Sequence, residues 1–341
     1  MRKKIAVGVL GCTGAVGQKF ISLLAEHPWF EVKEIIASEK SANKVYVQHV
    51  NWKETTAIPE KIGSMKIKKC FDNLQAKILF SGLDSSVAGE VETYYAKRGH
   101  IVISNSKNHR MDEDVPLVVP EVNIDHMALV TEKKGSGCIV TNPNCAVVML
   151  AVALFPIFKK FGLGKVMITT MQAISGAGYP GVPSLDILGN VIPHIQDEEE
   201  KIQTEILKIF GNYQGNKIKL ANFKVSALCN RVPVYNGHTL AVSFSTCKKA
   251  TAKDMIKSLY SMKRLDLPSS PQEVLQYYDD KFRPQPLLDV NTGNGMTVSV
   301  GNLRSCNVLD WKFTVLGHNT IRGAAGVAIL NAEYIVENNL C

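Results

Sequence analysis

Ile5-Ala-Val-Gly-Val-Leu-Gly-Cys-Thr-Gly-Ala-Val-Gly17 opens as a β-prone apolar run and closes on three glycines, Gly11, Gly14 and Gly17, spaced GxxGxxG. Helical spacing follows at once over residues 15–26, with Val16, Phe20 and Leu23-Leu24 on one face, and residues 32–37 are again strand-like. This is a βαβ unit. Glycines at such a junction let the chain turn tightly, let backbone N–H groups approach a pyrophosphate and let the helix lie against the strand, while the helix N-terminus supplies positive potential. A glycine-rich turn alone is compatible with no ligand at all, but a strand before it and a helix after it favour dinucleotide binding.

The second strand ends in Ala37-Ser-Glu-Lys-Ser-Ala-Asn-Lys44, where a fold of this kind meets the adenosine ribose. Hydroxyls and the lysines Lys40 and Lys44 favour a 2′-phosphate there, hence NADP over NAD, although Glu39 is the type of group that accepts from a free 2′-hydroxyl. Farther on, residues 77–80, 85–97 and 100–104 repeat strand, helix, strand, which predicts a parallel sheet with helices on both faces. After Asn142 the pattern changes to a buried helix at 146–158, a strand at 166–173, an amphipathic helix at 198–210 and cleanly alternating strands at 238–245 and 311–316. That is a second, α+β domain with a mainly antiparallel sheet. The small-residue helix at 323–336 is expected to return to the first domain, so the division reads as 1–142 plus 319–341 against 143–318.

Composition excludes several other classes. The chain has 341 residues, 45% apolar and 21% charged, with 39 Lys+Arg against 31 Asp+Glu for a formal charge of +8, the profile of an ordinary two-domain globule. The apolar run from Cys145 to Phe158 is too short to cross a bilayer and carries Pro156. The basic start Met1-Arg-Lys-Lys4 leads into only six apolar or glycine residues before Gly11, so neither a membrane span nor a signal peptide is expected. Eight cysteines without a CxxC pair point to reduced thiols in the cytoplasm and to no metal site. The basic excess sits in short pairs, Lys3-Lys4, Lys68-Lys69, Lys133-Lys134, Lys159-Lys160 and Lys248-Lys249, without aromatic interleaving, which favours small anionic partners over nucleic acid.

Thr141-Asn-Pro-Asn-Cys145 joins the apolar strand at 138–140 to the helix at 146–158. A thiol at a helix N-terminus gains a dipole and free N–H groups that favour the thiolate and can hold an oxyanion beside the sulfur. Most cysteines are small core hydrophobes; Asn142 and Asn144 at this junction set Cys145 apart from the other seven. Among eight histidines His238 is best placed as its partner, since Pro233 and Gly237 put it at a strand start near Arg231, which suits a carboxylate-bearing substrate. His109, His194 and His318 stay open on these grounds.

These segments together resemble aspartate-β-semialdehyde dehydrogenases over nearly the whole chain. The resemblance is carried by residues 11–17, Ser104-Asn-Ser-Lys-Asn-His-Arg110, Asn142-Pro-Asn-Cys145, Met171-Gln-Ala-Ile-Ser-Gly-Ala-Gly178, Glu198-Glu-Glu-Lys201, Asn230-Arg-Val-Pro-Val-Tyr-Asn-Gly-His238 and Asn319-Thr-Ile-Arg-Gly-Ala-Ala-Gly326. Gly189-Asn-Val-Ile-Pro193 before the glutamates looks like the archaeal and fungal branch. The resemblance implies a Rossmann-type NADP domain with a catalytic and dimerisation domain like that of glyceraldehyde-phosphate dehydrogenase. It implies a reversible conversion of L-aspartyl-4-phosphate and NADPH to L-aspartate-4-semialdehyde, phosphate and NADP, within lysine, threonine and methionine biosynthesis, in a homodimer or homotetramer.

By the same resemblance Cys145 is the nucleophile that forms a thioacyl enzyme, His238 the acid/base, and Gln172 an orienting group. Arg231 matches the residue for the substrate carboxylate, Glu198 that for its ammonium, Lys201 and Arg110 the phosphate pair, and Asn144 belongs to the nucleophile motif at the substrate. Cofactor contacts would come from Gly11, Thr13, Gly14, Ala15, Val16, Ser38, Ser41, Ser81, Gly82, Ser175, Gly176, Gly178 and Asn319. Because Glu198, Glu199 and Glu200 are adjacent, a shift of one would reassign the carboxylate. Competing readings are N-acetyl-γ-glutamyl-phosphate reductase and malonyl-CoA reductase, whose substrates lack a free ammonium, and a silent NADP-binding regulator, against which intact Cys145, Gln172, Arg231 and His238 argue.

Overall fold

Residues 3–131 and 135–340 are described by a computed structural model; Met1-Arg2, Glu132-Lys133-Lys134 and Cys341 lie outside the described residues. The run from Ile5 is strand β1 (Ile5–Leu10), flanked by β2 (Phe30–Ala37), β3 (Lys68–Lys69), β4 (Ile78–Ser81), β5 (Ile101–Ser104) and β6 (Cys138–Thr141). All pair in parallel, in the order β3-β2-β1-β4-β5-β6. Every residue of β4, β5 and β6 is buried, as a parallel sheet covered on both faces requires. The strand order reverses between β1 and β4, which opens a crevice at their C-terminal ends. Helix α1 (Ala15–Leu24) starts at that crevice. Gly11 turns the chain at φ +78°, and a Cβ on Gly17 would stand 2.1 Å from the Gly11 carbonyl oxygen, so only glycine lets the helix sit this close to the turn.

Helix α2 (Ser85–Ala96) joins β4 to β5, and past β6 the chain enters helix α3 (Cys145–Phe161). Residues Ala146 to Leu154 of α3 are all fully buried, so it is a central core helix, apolar all round. Its floor is a six-stranded sheet of β7 (Lys165–Gln172), β8 (Lys224–Arg231), β9 (His238–Phe244), β10 (Leu275–Tyr278), β11 (Val298–Ser305) and β12 (Trp311–Gly317). The order is β8-β7-β9-β12-β11-β10. The joints around β9 and β12 are antiparallel, as expected from the alternating pattern, whereas β7–β8 and β10–β11 are parallel. The β7–β8 joint is parallel because the chain returns through helix α4 (Glu198–Ile209), the crossover that parallel neighbours need. Helices α3, α4 and α5 (Ala252–Leu259) cover one face.

The last helix, α6 (Gly326–Glu337), packs Ala328, Ile329, Ala332 and Ile335 into the core of the first sheet beside Val7, Phe20 and Phe80. The C-terminal helix therefore returns to the first domain. It begins three residues later than the sequence pattern suggests, because Ile321–Ala325 forms a π-helical turn in which Gly323 N–H donates to His318 O and Ala325 N–H to Thr320 O. Arg322 in this turn makes a fully buried two-pronged pair with Glu121, at 2.7 and 2.9 Å. Among the described residues no helix is long and apolar enough to span a membrane, no disulfide forms, and no three potential metal ligands cluster.

Candidate active site

A cleft of about 390 Å³ opens where the C-terminal edge of the first sheet faces the ends of β7 and β8. Cys145, Asn144, Gln172, Glu198, Lys201, Arg231 and Arg110 all line it, although they come from five separate stretches of chain. Cys145 is the first residue of α3, and Asn144 caps that helix by accepting the Ala146 N–H at 3.0 Å. Asn144 also donates to both carboxylate oxygens of Glu198, at 3.0 and 2.8 Å, and Gln172 Nε2 donates to the same group at 3.1 Å. Lys201 pairs with Glu198 at 3.0 Å across one helical turn. Burial would raise the Glu198 carboxyl, but the Lys201 charge and the hydrogen bonds from Lys201, Asn144 and Gln172 hold it below the usual carboxylate range. Of the three adjacent glutamates only Glu198 faces the cleft; Glu199 accepts the Cys229 N–H and Glu200 is exposed.

The thiol itself departs from expectation. Burial pushes Cys145 up to about 12, and the Glu198 charge adds to this, while Arg231, Arg110 and the Ala146 N–H pull the other way. The helix start favours the anion, but less than the dry wall and the neighbouring carboxylate oppose it. In this cleft Cys145 is a neutral thiol.

His238, the first residue of β9, is fully buried and stands against Gly176 of the cleft lining. Its Nδ1 accepts the Ala173 backbone N–H at 3.1 Å, and its Nε2 has no partner. A backbone N–H can only donate, so the ring proton sits on Nε2. Burial first, then the Arg231 charge, pushes the imidazole down to about 3, so it is neutral. Arg231 Nη1 donates to Ala173 O at 2.9 Å, so one residue at the end of β7 orients both groups. Gly176, in the cleft lining, packs against both: a Cβ there would lie 2.9 Å from His238 Cε1 and 3.1 Å from Arg231 Nη1. We expect Gly176→Ala to displace both side chains and lower kcat/KM by about 10²-fold; kinetics within twofold of the parent protein would refute this.

The dinucleotide segments divide between the cleft and the crest of the first sheet. Ala15, Val16, Ser175, Gly176, Gly178 and Asn319 line the cleft. Asn319 donates to Ser175 Oγ at 2.7 Å and accepts the Gly237 N–H at 2.9 Å, tying the Ser175 turn to the start of β9. Gly11, Thr13, Gly14, Ser38, Ser41, Ser81 and Gly82 lie outside the cleft, in turns that follow the ends of β1, β2 and β4. The Gly11 N–H is committed to Ile36 O and the Gly14 N–H to Gly11 O, so these glycines shape the turn while their own donors are used internally. Ser38 is exposed, whereas the Ser41 hydroxyl bonds His49 at 3.0 Å and the Ser81 hydroxyl donates to the buried Glu92 at 2.6 Å.

Comparison with known proteins follows this architecture. Residues 6–130 match the family described as semialdehyde dehydrogenase, NAD binding domain, and residues 154–322 the semialdehyde dehydrogenase dimerisation domain. The aspartate-semialdehyde dehydrogenase of Archaeoglobus fulgidus is 46% identical, covering 99% of this chain and 99% of its own length. That of Schizosaccharomyces pombe is 42% identical, covering 98% of each chain. The chain belongs to the aspartate-semialdehyde dehydrogenase family. The crystal structure of the Candida albicans aspartate-semialdehyde dehydrogenase with NADP superposes with a TM-score of 0.93 at 38% identity, covering 99% of this chain and 100% of that one. Relatives from an archaeon and from fungi fit the branch expected from residues 189–193.

In this aspartate-semialdehyde dehydrogenase family member, the sequence reading passed over several residues that shape the site. Glu205 and Lys208 extend the Glu198, Lys201 face of α4 as a charged ridge, and a charge at positions seven and ten on, within an amphipathic helix, was the available signal. His49 holds Ser41. Tyr179 accepts from Asn51 at 2.9 Å and lies under Lys53 Nζ at 4.6 Å, joining the loop after β7 to the first domain.

Proposed function

We propose that this chain catalyses the reversible, NADPH-dependent reductive dephosphorylation of L-aspartyl-4-phosphate to L-aspartate-4-semialdehyde through a thioacyl enzyme on Cys145. The observation that carries this reading is the convergence of a thiol, a charged buried carboxylate, a fixed guanidinium and a second cationic pair on one cleft beside a dinucleotide crevice. Residues 1–142 with 319–341 would hold NADP and residues 143–318 would supply the catalytic groups and dimer surface, in a cytoplasmic homodimer or homotetramer. A charged Glu198 favours a substrate with a free ammonium over an N-acetylated amine or a thioester.

The glycine turn that Gly17 brings against α1, and the hydroxyls beyond β2, fit the cofactor; when bound, the nicotinamide supplies hydride to the thioacyl carbon. The rest falls to the protein. Arg231 takes the substrate carboxylate and Glu198 its ammonium, which offsets the carboxylate charge that opposes thiolate formation. The sulfur attacks the acyl carbon as the thiol proton passes to the departing phosphate; the C–S bond forms, the bond to the phosphate oxygen breaks, and the protonated phosphate leaves toward Arg110 and Lys201. His238 presents a neutral Nε2–H to the oxygen that gains charge as the acyl carbon turns tetrahedral. That role differs from a base: accepting a proton at Nε2 would require Nδ1 to carry one and to lose the Ala173 bond. Collapse of the reduced oxyanion expels the sulfur without a proton from the ring.

The test is NADPH formation from L-aspartate-4-semialdehyde, phosphate and NADP, run beside the N-acetylglutamate semialdehyde and malonate semialdehyde with CoA sets. Turnover confined to either of the latter would overturn the assignment. For the dimer, Met167 and Leu228 stand about half exposed, at 51% and 49%, on the open face of the second sheet, with Leu228 opposite Thr169. Leu228→Arg is expected to shift the sedimenting species to monomer, and an unchanged assembly would place the interface elsewhere.

A further inference from the structure

We infer that Glu205 is a positioning residue that sets the phosphate-binding arginine and the nucleophile turn as one unit; the inference rests on the phosphate role proposed for Arg110. Glu205 lies on α4 and is 2% exposed, and it does not line the cleft. Its Oε1 accepts from Arg110 Nη1 at 2.9 Å, and its Oε2 accepts the backbone N–H of Asn144, the residue before Cys145, at 2.6 Å. One carboxylate thus joins a loop of the first sheet to the helix start that carries the sulfur. Arg110 Nη2 is held by Asn105 O at 2.7 Å, so the plane of the guanidinium is fixed from two sides.

The neighbouring turn of α4 completes the clamp. Lys208, also buried, donates from Nζ to the carbonyls of Arg110, Asp112 and Val115, at 2.8, 2.7 and 2.8 Å, which anchors the backbone from which Arg110 projects. Glu198 and Lys201 on the same helix face reach the cleft directly. The ridge therefore places both phosphate cations and the approach of the nucleophile on a single rigid element. Two opposed effects follow from removing the Glu205 charge: Arg110 loses a partner that partly neutralises it, which strengthens its pull on an anion, and it loses the bond that aims it. A two-pronged anion contact depends on aim within about 0.5 Å, so loss of aim dominates.

The experiment compares Glu205→Gln and Glu205→Asp with the parent protein in the semialdehyde, phosphate and NADP direction. Glu205→Gln is expected to raise the KM for phosphate about tenfold, with the KM values for semialdehyde and NADP within twofold. Glu205→Asp keeps the charge and one of the two contacts and is expected to fall between. A second readout needs no turnover: protection of Cys145 from iodoacetamide by inorganic phosphate, followed by peptide mapping, should require about tenfold more phosphate in Glu205→Gln. An unchanged or lowered phosphate KM in a folded variant overturns the inference, as does loss of folding in both variants, which would make the role purely structural. If the parent protein itself fails to use phosphate, the phosphate reading of the site fails instead, and the parent assay separates the two cases.

Discussion

Turnover of the Cys145→Ser protein is expected to fall by at least about 10³-fold, with binding of NADP unchanged. The size of the effect follows from how this wall treats an anion. Burial and Glu198 already push the thiol up to about 12, and a hydroxyl in the same place starts from a far higher value. His238 does not take the proton, since it carries its own on Nε2. Sulfur is reachable only because Arg231 and Arg110 oppose the carboxylate and because an incoming ammonium screens it. Steady-state rates and mass spectrometry of the protein after mixing with acyl phosphate measure both halves: the parent should gain an acyl adduct at Cys145 and the variant none. A serine protein within tenfold of the parent would remove the thioacyl route.

The second large effect concerns His238. Loss of one preorganised donor to a developing oxyanion costs about 10²–10³-fold in kcat, and His238→Ala is expected to fall in that range. His238→Gln, which keeps an N–H close to the Nε2 position, should lose only about tenfold; a base could not be replaced in that way. With the ring pushed down to about 3 from its ordinary 6.5, no ionisation of His238 should shape the activity profile between pH 5 and 8. Stability carries the opposite signature. The folded ring stays neutral while the unfolded one gains a proton below 6.5, so its contribution is complete above 6.5 and is lost as pH falls toward about 3. His318, pushed down to about 4 chiefly by burial, adds to the same acid limb. A His238→Ala protein should show a shallower acid loss of stability by denaturant titration, and an equally steep limb would move the effect to other groups.

Legibility in the sequence followed the range of the forces involved. The turn at Gly11 to Gly17, α1 and β5 were readable because strand propensity, helical periodicity and glycine freedom all act within a few residues. Helix α3 was readable because an unbroken apolar run from Cys145 to Phe158 leaves little else to form. Strand β8 was not named in advance: Lys224-Val-Ser-Ala-Leu-Cys-Asn-Arg231 is weakly patterned and becomes a strand through its parallel pairing with β7, a partner that lies beyond a crossover helix. At the site, the residue types were visible and their states were not. The His238 tautomer is set by Ala173, 65 positions away, and the protonation of Cys145 by burial first and then by a glutamate 53 positions farther along. In the sequence Glu205 is one more charge on an amphipathic helix; the fold places Arg110 against it.

The π-helical turn from Ile321 to Ala325 places Gly323 so close to the nucleophile that a Cβ would stand 2.7 Å from that of Cys145. The sulfur's seat is therefore finished by a turn 178 positions farther along the chain. While a nascent chain still lacks that turn and the helix after it, the thiol has no back wall, Glu121 has no Arg322, and the first core lacks α6. Catalytic competence can arise only after the π-helical turn and α6 have left the ribosome, so products truncated before Ile321 should be inert from the moment they are made.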